Sequence, residues 1–420
     1  MRRNRLLVSA LVLMLLTVSG CWDAASPEQM AWVAALGVDH GPDGNFVFTF
    51  QTLAPKSIAA GGAQSTGTTG GKGHSYLVFS VAAPDVITAT ELSDAFVSRH
   101  VSLHHAKVIV LGESIVRQGI SEFLAPAVRF RDFRRTLYVM VAKGSAQEFL
   151  NYARPRLEND PSLWYETMMH WQEETNLVPP TRIHEMVLSL ERAGVGARVA
   201  LVAARPDLDG PESELSGRIA AGPSDILAGD LYRTGVVPVE FLGSAVFKGA
   251  KLAGFLTGEE TRMVSLMRGE LDRRTPVTVP DPRDPQHRVV LLAQVQKRPV
   301  IRVAWKEGRL TANIRVNLEG DIGSVPSVID YTHAPDMALL ERATERFLKA
   351  RVEQVMNRTL HEWGTDLYRI GDQAKTAFPT LQAWQAYDWS RRVADVDYSV
   401  DLSFRIRRHG QQQEPAKPQR

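Results

Sequence analysis

Phe241-Leu-Gly-Ser-Ala-Val-Phe-Lys-Gly-Ala-Lys-Leu-Ala-Gly-Phe-Leu256, followed by Thr257-Gly-Glu-Glu260, is the clearest landmark in the sequence. Two apolar runs flank Lys248-Gly249-Ala250-Lys251, which reads as a hairpin with its turn at the glycine. Thr257 and Glu260 stand three apart, the spacing of a capping box in which each side chain serves the other's backbone N–H. The helix they open carries Thr261, Val264, Leu266 and Met267 and stops at Gly269, a residue suited to a left-handed helix end. A hairpin feeding directly into a helix requires an antiparallel pair with helices packed on it. The expected fold class is therefore α+β, multidomain, with mixed helices and largely antiparallel sheets.

Downstream, Val289 to Val295, Val300 to Trp305 and Leu310 to Leu318 alternate apolar and polar residues. With Glu307-Gly308 as a turn they read as an antiparallel meander. Pro335 to Trp363 reads as a long amphipathic helix. Leu340, Leu348, Val352, Val355, Met356, Leu360 and Trp363 trace its buried stripe. Asp366 to Gly371, a further helix with Trp384 and Trp389, and a strand from Val396 to Ile406 close this half. The polar tail 411–420 is expected to be disordered.

Upstream, Met30 to Asp39, a turn at Gly41-Pro42-Asp43-Gly44, and the alternating Phe46, Phe48 and Phe50 read as strand, turn, strand. Ala59 to Gly73 is rich in Gly, Ser and Thr and reads as a loop. A strand from Ser75 to Val81, a helix over Asp85 to Arg99, a strand over Lys107 to Gly112, a helix over Ser114 to Arg129 interrupted at Pro126, and a strand over Leu137 to Ala142 follow. Helices over Ser145 to Tyr152 and Pro161 to Glu174 come next. Thr181 is placed to cap a helix bearing Ile183, Met186, Val187 and Leu190, and Ala200 to Ala204 reads as a strand. Residues 206–238 are rich in Pro, Gly, Asp and Ser, the composition of a boundary. The expected organisation is a leader 1–20, an N-terminal α/β region 21–205 of one or two subdomains, a linker 206–238, a C-terminal antiparallel sheet plus long helix over 239–410, and the tail.

The leader is a lipoprotein signal peptide. Arg2, Arg3 and Arg5 precede an apolar run from Leu6 to Val18. That run is short of the roughly 20 residues needed to span a bilayer and suits an export signal. Val18-Ser19-Gly20 places small residues before Cys21, the single cysteine of the 420-residue chain. Its thiol is the expected lipidation site: Cys21 takes up a diacylglyceryl group and becomes the anchored N-terminus, two acyl chains holding where one is marginal. Without a second cysteine the exported body forms no internal disulfide. Lys and Arg total 49 against 47 Asp and Glu, a formal net charge of +2, so the balance carries no nucleic-acid signal.

Several blocks are similar to one family. Gly20-Cys21-Trp22-Asp23, Leu36-Gly37-Val38-Asp39 and Phe50-Gln51 resemble the opening of the Ger(x)C spore-germination lipoproteins, the C subunits of germinant receptors. His105 to Gly112, Gly119 to Leu124 and Arg135 to Gly144 look like the family's central block. Ala245-Val-Phe-Lys248, Lys251-Leu-Ala-Gly254 and Glu259-Glu-Thr-Arg262 resemble its most specific motif, and the C-terminal region continues the likeness to Arg407-Arg408-His409-Gly410. The resemblance implies a non-enzymatic subunit without cofactors. It sits on the outer face of the inner spore membrane beside two integral membrane partners, the A and B subunits, in a complex that responds to small nutrients. The long loop near Gly61–Gly73, the segment Leu318 to Ile322 and the linker depart from the family pattern. A solute-binding lipoprotein of a transporter is the alternative reading, and a lipid-anchored wall hydrolase a more remote one.

Chemistry-bearing candidates are few. His100 and His104 would share a face if helical and could then hold zinc, with His105 adjacent, but no third ligand is evident. Glu173-Glu174 and Glu259-Glu260 are paired carboxylates; the second pair fits a helix N-terminus, where negative charge is favoured. Gly243-Ser-Ala-Val246 lacks the closing glycine of a nucleophile elbow, and Gly71-Lys72-Gly73 lacks the Ser or Thr of a phosphate-binding loop. Arg129, Arg131, Arg134 and Arg135 surround Phe130 and Phe133, a basic run that reads as a solvated turn or as a contact for anionic headgroups. No catalytic constellation emerges.

Overall fold

The computed structural model describes residues 26–53, 76–130, 132–209, 214–218, 226–235 and 237–408. The signal peptide with Cys21, the loop 59–73 and the tail 411–420 lie outside the described residues.

The N-terminal half runs β1 (Met30–His40), β2 (Phe46–Leu53), β3 (Tyr76–Ala83), α1 (Val86–Ser93), β4 (His100–Ser102), β5 (Val108–Gly112), α2 (Glu113–Gln118), α3 (Ser121–Ala127), β6 (Tyr138–Lys143), α4 (Ala146–Tyr152), α5 (Pro161–Thr175), α6 (Ile183–Leu190) and β7 (Ala197–Ala204). The landmark follows as β8 (Val239–Lys248), β9 (Lys251–Leu256) and α7 (Gly258–Arg268). The chain closes with β10 (Thr275–Pro280), β11 (Arg288–Lys306), β12 (Arg309–Ser324), α8 (Ala334–Met356), α9 (Ile370–Ala374) and β13 (Asp397–Arg408), with short helical turns between α9 and β13.

Two sheets result. The first has nine strands in the order β3-β2-β1-β5-β6-β7-β8-β9, with β4 beside β1. Its centre, β1-β5-β6-β7, is parallel. The cause is visible in the sequence: Val108 to Gly112 and Tyr138 to Lys143 are apolar on both faces, as strands covered on both sides must be. Ile109, Leu111, Val139 and Val141 face one core. Val108, Val110, Met140 and Ala142 face a second, under α4 and α5. The other sheet, β10-β11-β12-β13, is antiparallel except that β13 returns parallel to β12 after the helical crossover, as a parallel pair needs a long connection.

The hairpin turns where the sequence places it, with Lys248 opposite Lys251. It hydrogen-bonds to β7, so the sheet boundary and the expected boundary at 206–238 do not coincide. Alternate residues explain this. Ala245 and Phe247 pack into the first core, whereas Val246 and Leu256 belong to the core of the C-terminal half.

Several local readings are corrected. The helix expected over Asp85 to Arg99 ends at Ser93; Asp85 caps it by accepting from the Ile87 and Thr88 amides at 2.9 Å each. The helix over Ser114 to Arg129 breaks at Gly119, not at Pro126. A positive φ at Gly119 redirects the chain so that the Ile120 amide donates to the Ala250 carbonyl at 3.0 Å on the hairpin tip. Thr181 does not cap α6: its hydroxyl donates to the Arg198 carbonyl at 2.7 Å, and Arg182 is the cap residue. The strands expected at Val289 to Val295 and Val300 to Trp305 are one 19-residue strand. Its register shifts between Val295 and Val300 take up Pro299, which cannot donate to a ladder. The long helix is α-helical to Met356 and continues as a π-helical turn over Asn357–Glu362.

Asp39, at the end of β1, ties this half together. Its carboxylate accepts from the Ala146 amide at 2.9 Å, the Gln147 amide at 2.8 Å and the Ser145 hydroxyl at 3.1 Å, at the N-terminus of α4. A Cβ on Gly112 of the neighbouring strand would stand 1.9 Å from Asp39 Oδ1. Gly112→Ala should therefore displace the carboxylate and cost about 2–4 kcal/mol through overpacking and unmade hydrogen bonds. A urea titration of the variant checks this, and a midpoint equal to that of the parent protein would contradict it.

Candidate functional site

The residues with the most connections lie on and around α7. This helix is short and polar on average, yet Gly258 and every residue from Thr261 to Met267 are buried. Polar groups buried on all sides must be paired, and these are. The capping box forms: Thr257 N–H donates to Glu260 at 2.8 Å and Glu260 N–H to the Thr257 hydroxyl at 3.3 Å. Thr261 and Ser244 share a hydroxyl–hydroxyl bond of 2.8 Å, tying the helix to β8.

Its acidic pair points at α8 and the turn that follows. Glu259 meets Arg351 at 3.3 Å and Glu260 meets Arg358 at 2.6 Å. Arg358 also donates to the Phe255 carbonyl at 3.1 Å and lies 5.0 Å from the centre of the Trp363 ring. Trp363 occupies the space a side chain at residue 254 would take: a Cβ on Gly254 would be 2.4 Å from Trp363 Cζ2. The Gly254-to-Glu260 segment thus grips α8 and the turn after it, by an ion pair to Arg351, a second to Arg358 and the ring of Trp363.

On the other side α7 reaches the N-terminal half. Arg262 donates to the Thr175 carbonyl at 2.9 Å, the end of α5, and to the Pro276 carbonyl at 2.7 Å on β10. Burial pushes its guanidinium down to about 10, against the opposing pull of Glu259, so it remains charged at neutral pH. Arg198 of β7 donates to Ser265 at 2.9 Å and pairs with Glu270, which Arg268 also holds at 2.6 Å. Burial lowers the Arg198 guanidinium, opposed by Glu270. Burial would raise the Glu270 carboxyl, but Arg198 and Arg268 outweigh it and hold it below its ordinary value.

An open cleft of about 590 Å³ runs along this seam, lined by Glu173, Glu185, Arg192, Arg268, Asp272 and Arg369 among others. Arg192 and Asp372 face each other at 3.5 Å at its edge. The cleft offers charges of both signs to a small polar molecule.

The remaining candidates take structural places. His100 lies on β4 and bonds Asp94 at 2.8 Å; His104 follows in a turn, 3.0 Å from Ser102 and 3.1 Å from Asp132. The helical face expected to join them does not form, and His105 packs edge-on against Trp32. Among the described residues no group of three His, Cys, Asp or Glu is disposed to hold a metal. Glu174 pairs with Arg273 and Glu173 lies 3.7 Å from His170. Phe133 is buried beside Phe123, while Arg129, Arg134 and Arg135 are exposed.

Three of the buried charges stand outside the sequence expectations. Glu240 accepts from Arg205 at 2.8 Å, Arg233 at 3.0 Å and the Gly229 amide at 2.7 Å, which fastens part of the expected linker onto the first sheet. Asp366 accepts from the Tyr368 and Gly371 amides at 2.9 and 2.8 Å, and burial raises its carboxyl. Arg198 is the third. The available signal was a charge set within an apolar strand, as in Ala197-Arg-Val-Ala-Leu201 and Val239-Glu-Phe-Leu242.

Two family models match the chain in tandem: Spore germination protein N-terminal domain over residues 23–202, and Spore germination B3/GerAC like, C-terminal, over residues 242–410. The chain belongs to the Ger(x)C family. Spore germination protein B3 of Bacillus subtilis (strain 168) is 23% identical over 403 residues, covering 95% of this chain and 96% of that protein. Spore germination protein KC of the same organism is 22% identical over 423 residues, covering 100% and 99%. The crystal structure of the GerBC protein superposes with a TM-score of 0.51 at 20% identity, covering 88% of this chain and 96% of that one. The two Ger(x)C matches divide between β7 and β8, within the continuous first sheet.

The charge on Glu270 makes a measurable contribution. Its folded-state pKa lies below the ordinary 4.5, so its stabilisation is complete above that value and disappears as pH falls below it. The Glu270 side chain is 38% exposed, so solvent screens part of the attraction, and Glu270→Gln should lose about 0.5–1.5 kcal/mol at pH 7 and show a shallower fall in stability from pH 5 to pH 3 than the parent. Thermal unfolding across that range tests the sign; parallel curves would refute it.

Proposed function

We propose that this chain is the lipid-anchored, non-enzymatic C subunit of a spore nutrient-germinant receptor. It acts in spore germination on the outer face of the inner spore membrane, beside the integral A and B subunits. The observation that carries this reading is the run of Ger(x)C likeness through both halves, placed directly after Val18-Ser-Gly-Cys21. Cys21 is the attachment point. Ser26 leads almost at once into β1, so the body hangs on a short tether. Among the described residues no helix is long and apolar enough to cross a membrane.

The architecture suits assembly and relay. A continuous first sheet, and a helix that packs in the C-terminal core while bonding the N-terminal half through Arg262 and Ser265, make the halves one mechanical body, able to pass a displacement from one partner surface to another. The solute-binding alternative calls for two similar parallel-sheet lobes about a cleft. The two sheets here differ in strand number and direction, which weighs against it. Of the paired carboxylates that a hydrolase would need opposed across a groove, Glu174, Glu259 and Glu260 are engaged with arginines.

Two measurements bear on the proposal. Cys21→Ala should abolish incorporation of labelled palmitate and move the protein from the membrane to the soluble fraction; labelling that persists would rule out Cys21 as the anchor. Spores lacking this chain, in a strain without a sister receptor, should respond more slowly to at least one nutrient germinant. An unchanged response across a nutrient panel would remove the receptor assignment.

A further inference from the structure

The charges of Arg129, Arg134 and Arg135 in the basic run are not taken up by an ion pair among the described residues. Arg129, Arg134 and Arg135 are exposed, and among the described residues none is within ion-pair distance of a carboxylate. Two acids of the surroundings are engaged elsewhere: Asp132 faces His104 at 3.1 Å and Glu166 holds Lys107 at 2.6 Å. Beside this run, between α3 and α6, lies an open groove of about 740 Å³. Leu124, Val128, Val187 and Leu190 form its apolar walls, and Arg129, Arg135 and the single carboxylate Glu191 stand on its rim. Ala250 of the hairpin tip closes one side, with exposed Lys251 next to it.

The groove lies at the end of the first sheet where its parallel strands start, and the chain enters there. Met30 pairs with His100 at the start of β1. Trp32 rests on His105 with 4.6 Å between ring centres. Arg134 is close enough to act on that imidazole, which burial, Arg134 and Lys107 together hold low. Tyr138, three residues beyond Arg135, donates its N–H to the Lys107 carbonyl at 2.9 Å. Only five peptide units separate Ser26 from Cys21, and an extended chain of that length reaches at most about 18 Å. A lipid on Cys21 therefore keeps this end of the molecule within that distance of the headgroups.

We propose that the groove between α3 and α6, with Arg129, Arg134, Arg135 and Lys251 around it, docks on anionic phospholipid of the bilayer that carries the anchor. The cations meet the phosphates and the apolar walls take glycerol and the upper acyl segment. The inference rests on the anchored reading of Cys21. It gives the tethered body a defined orientation: α3, α6 and the hairpin tip face the membrane, and no described residue of the second sheet lines the groove. A basic residue near an anionic surface strengthens binding about fivefold, so reversing two should weaken the contact at least about 25-fold.

The test uses the full acylated chain reconstituted into vesicles of phosphatidylcholine alone or with 30% phosphatidylglycerol, a fraction on the order of that in anionic membranes. Backbone hydrogen exchange is followed in both. Exchange over 121–135 and 183–191 should slow at least about fivefold with phosphatidylglycerol and not with phosphatidylcholine. High salt should reverse the effect. Arg129→Glu with Arg135→Glu should abolish it, whereas Arg298→Glu on β11 should not. A milder pair, Arg129→Gln with Arg135→Gln, should give an intermediate effect and guards against misfolding. Equal exchange in both vesicles, protection on another surface, or the same protection from inorganic phosphate without vesicles would each overturn the inference. If the protein leaves phosphatidylcholine vesicles yet is protected over these segments by phosphatidylglycerol, the anchor assignment fails and the docking face stands.

Discussion

The fold depends on one constraint: β8 and β9 have to serve two cores at once, and α7 has to seat in the second of them. In β8, Ala245 and Phe247 face the N-terminal core while Val246 faces the C-terminal one. Because strand residues alternate faces, a one-residue slip of this strand would exchange the two sets and spoil both cores. α7 packs its apolar residues in the C-terminal core and ties back to the N-terminal half by polar bonds through Arg262 and Ser265. The two halves of this Ger(x)C chain are for that reason not independent beads on a linker. Removing the hairpin from either half would expose an apolar face.

Polar pairing sets the geometry of this shared element. Arg198, Arg262 and Glu260 each lie at a boundary between elements distant in sequence, and each makes bonds with defined directions. Buried ion pairs add little net stability relative to well-packed apolar residues, because desolvation offsets their attraction. Breaking one, however, strands a charge. Such pairs therefore penalise misplacement strongly while contributing modestly in place, which suits a helix that must hold a fixed position between two sheets. Gly254 and Gly258 act in the same sense, leaving room for Trp363 and Leu242 respectively.

Much of this was legible locally. The hairpin turn, the Thr257–Glu260 capping box and the buried stripe of α8 follow from spacing alone, because they depend on neighbours within a few residues. What failed, failed for non-local reasons. Gly119 rather than Pro126 ends α2 because the chain must turn to meet Ala250, over a hundred residues away. Thr181 looked like a cap but bonds Arg198 across the β7 edge. The region 206–238 looked like a linker because proline, glycine and aspartate dominate it. Yet Glu240 gathers Arg205 and Arg233 and fastens parts of it to the sheet.

The sequence by itself determined the elements, the α+β class, the resemblance to the Ger(x)C family and the expectation of a lipid on Cys21. These rest on periodicity, capping chemistry and short motifs, all of which are written within one stretch of chain. Only the tertiary structure decided that the hairpin joins the first sheet. It also placed Glu259 and Glu260 against α8 and the turn after it, Glu174 against Arg273, and three arginines with no ion pair among the described residues near an apolar groove at the end where the chain enters. Each of those facts requires residues far apart in sequence to meet, and pairing between distant strands and helices is set by the packing of whole faces rather than by any local signal.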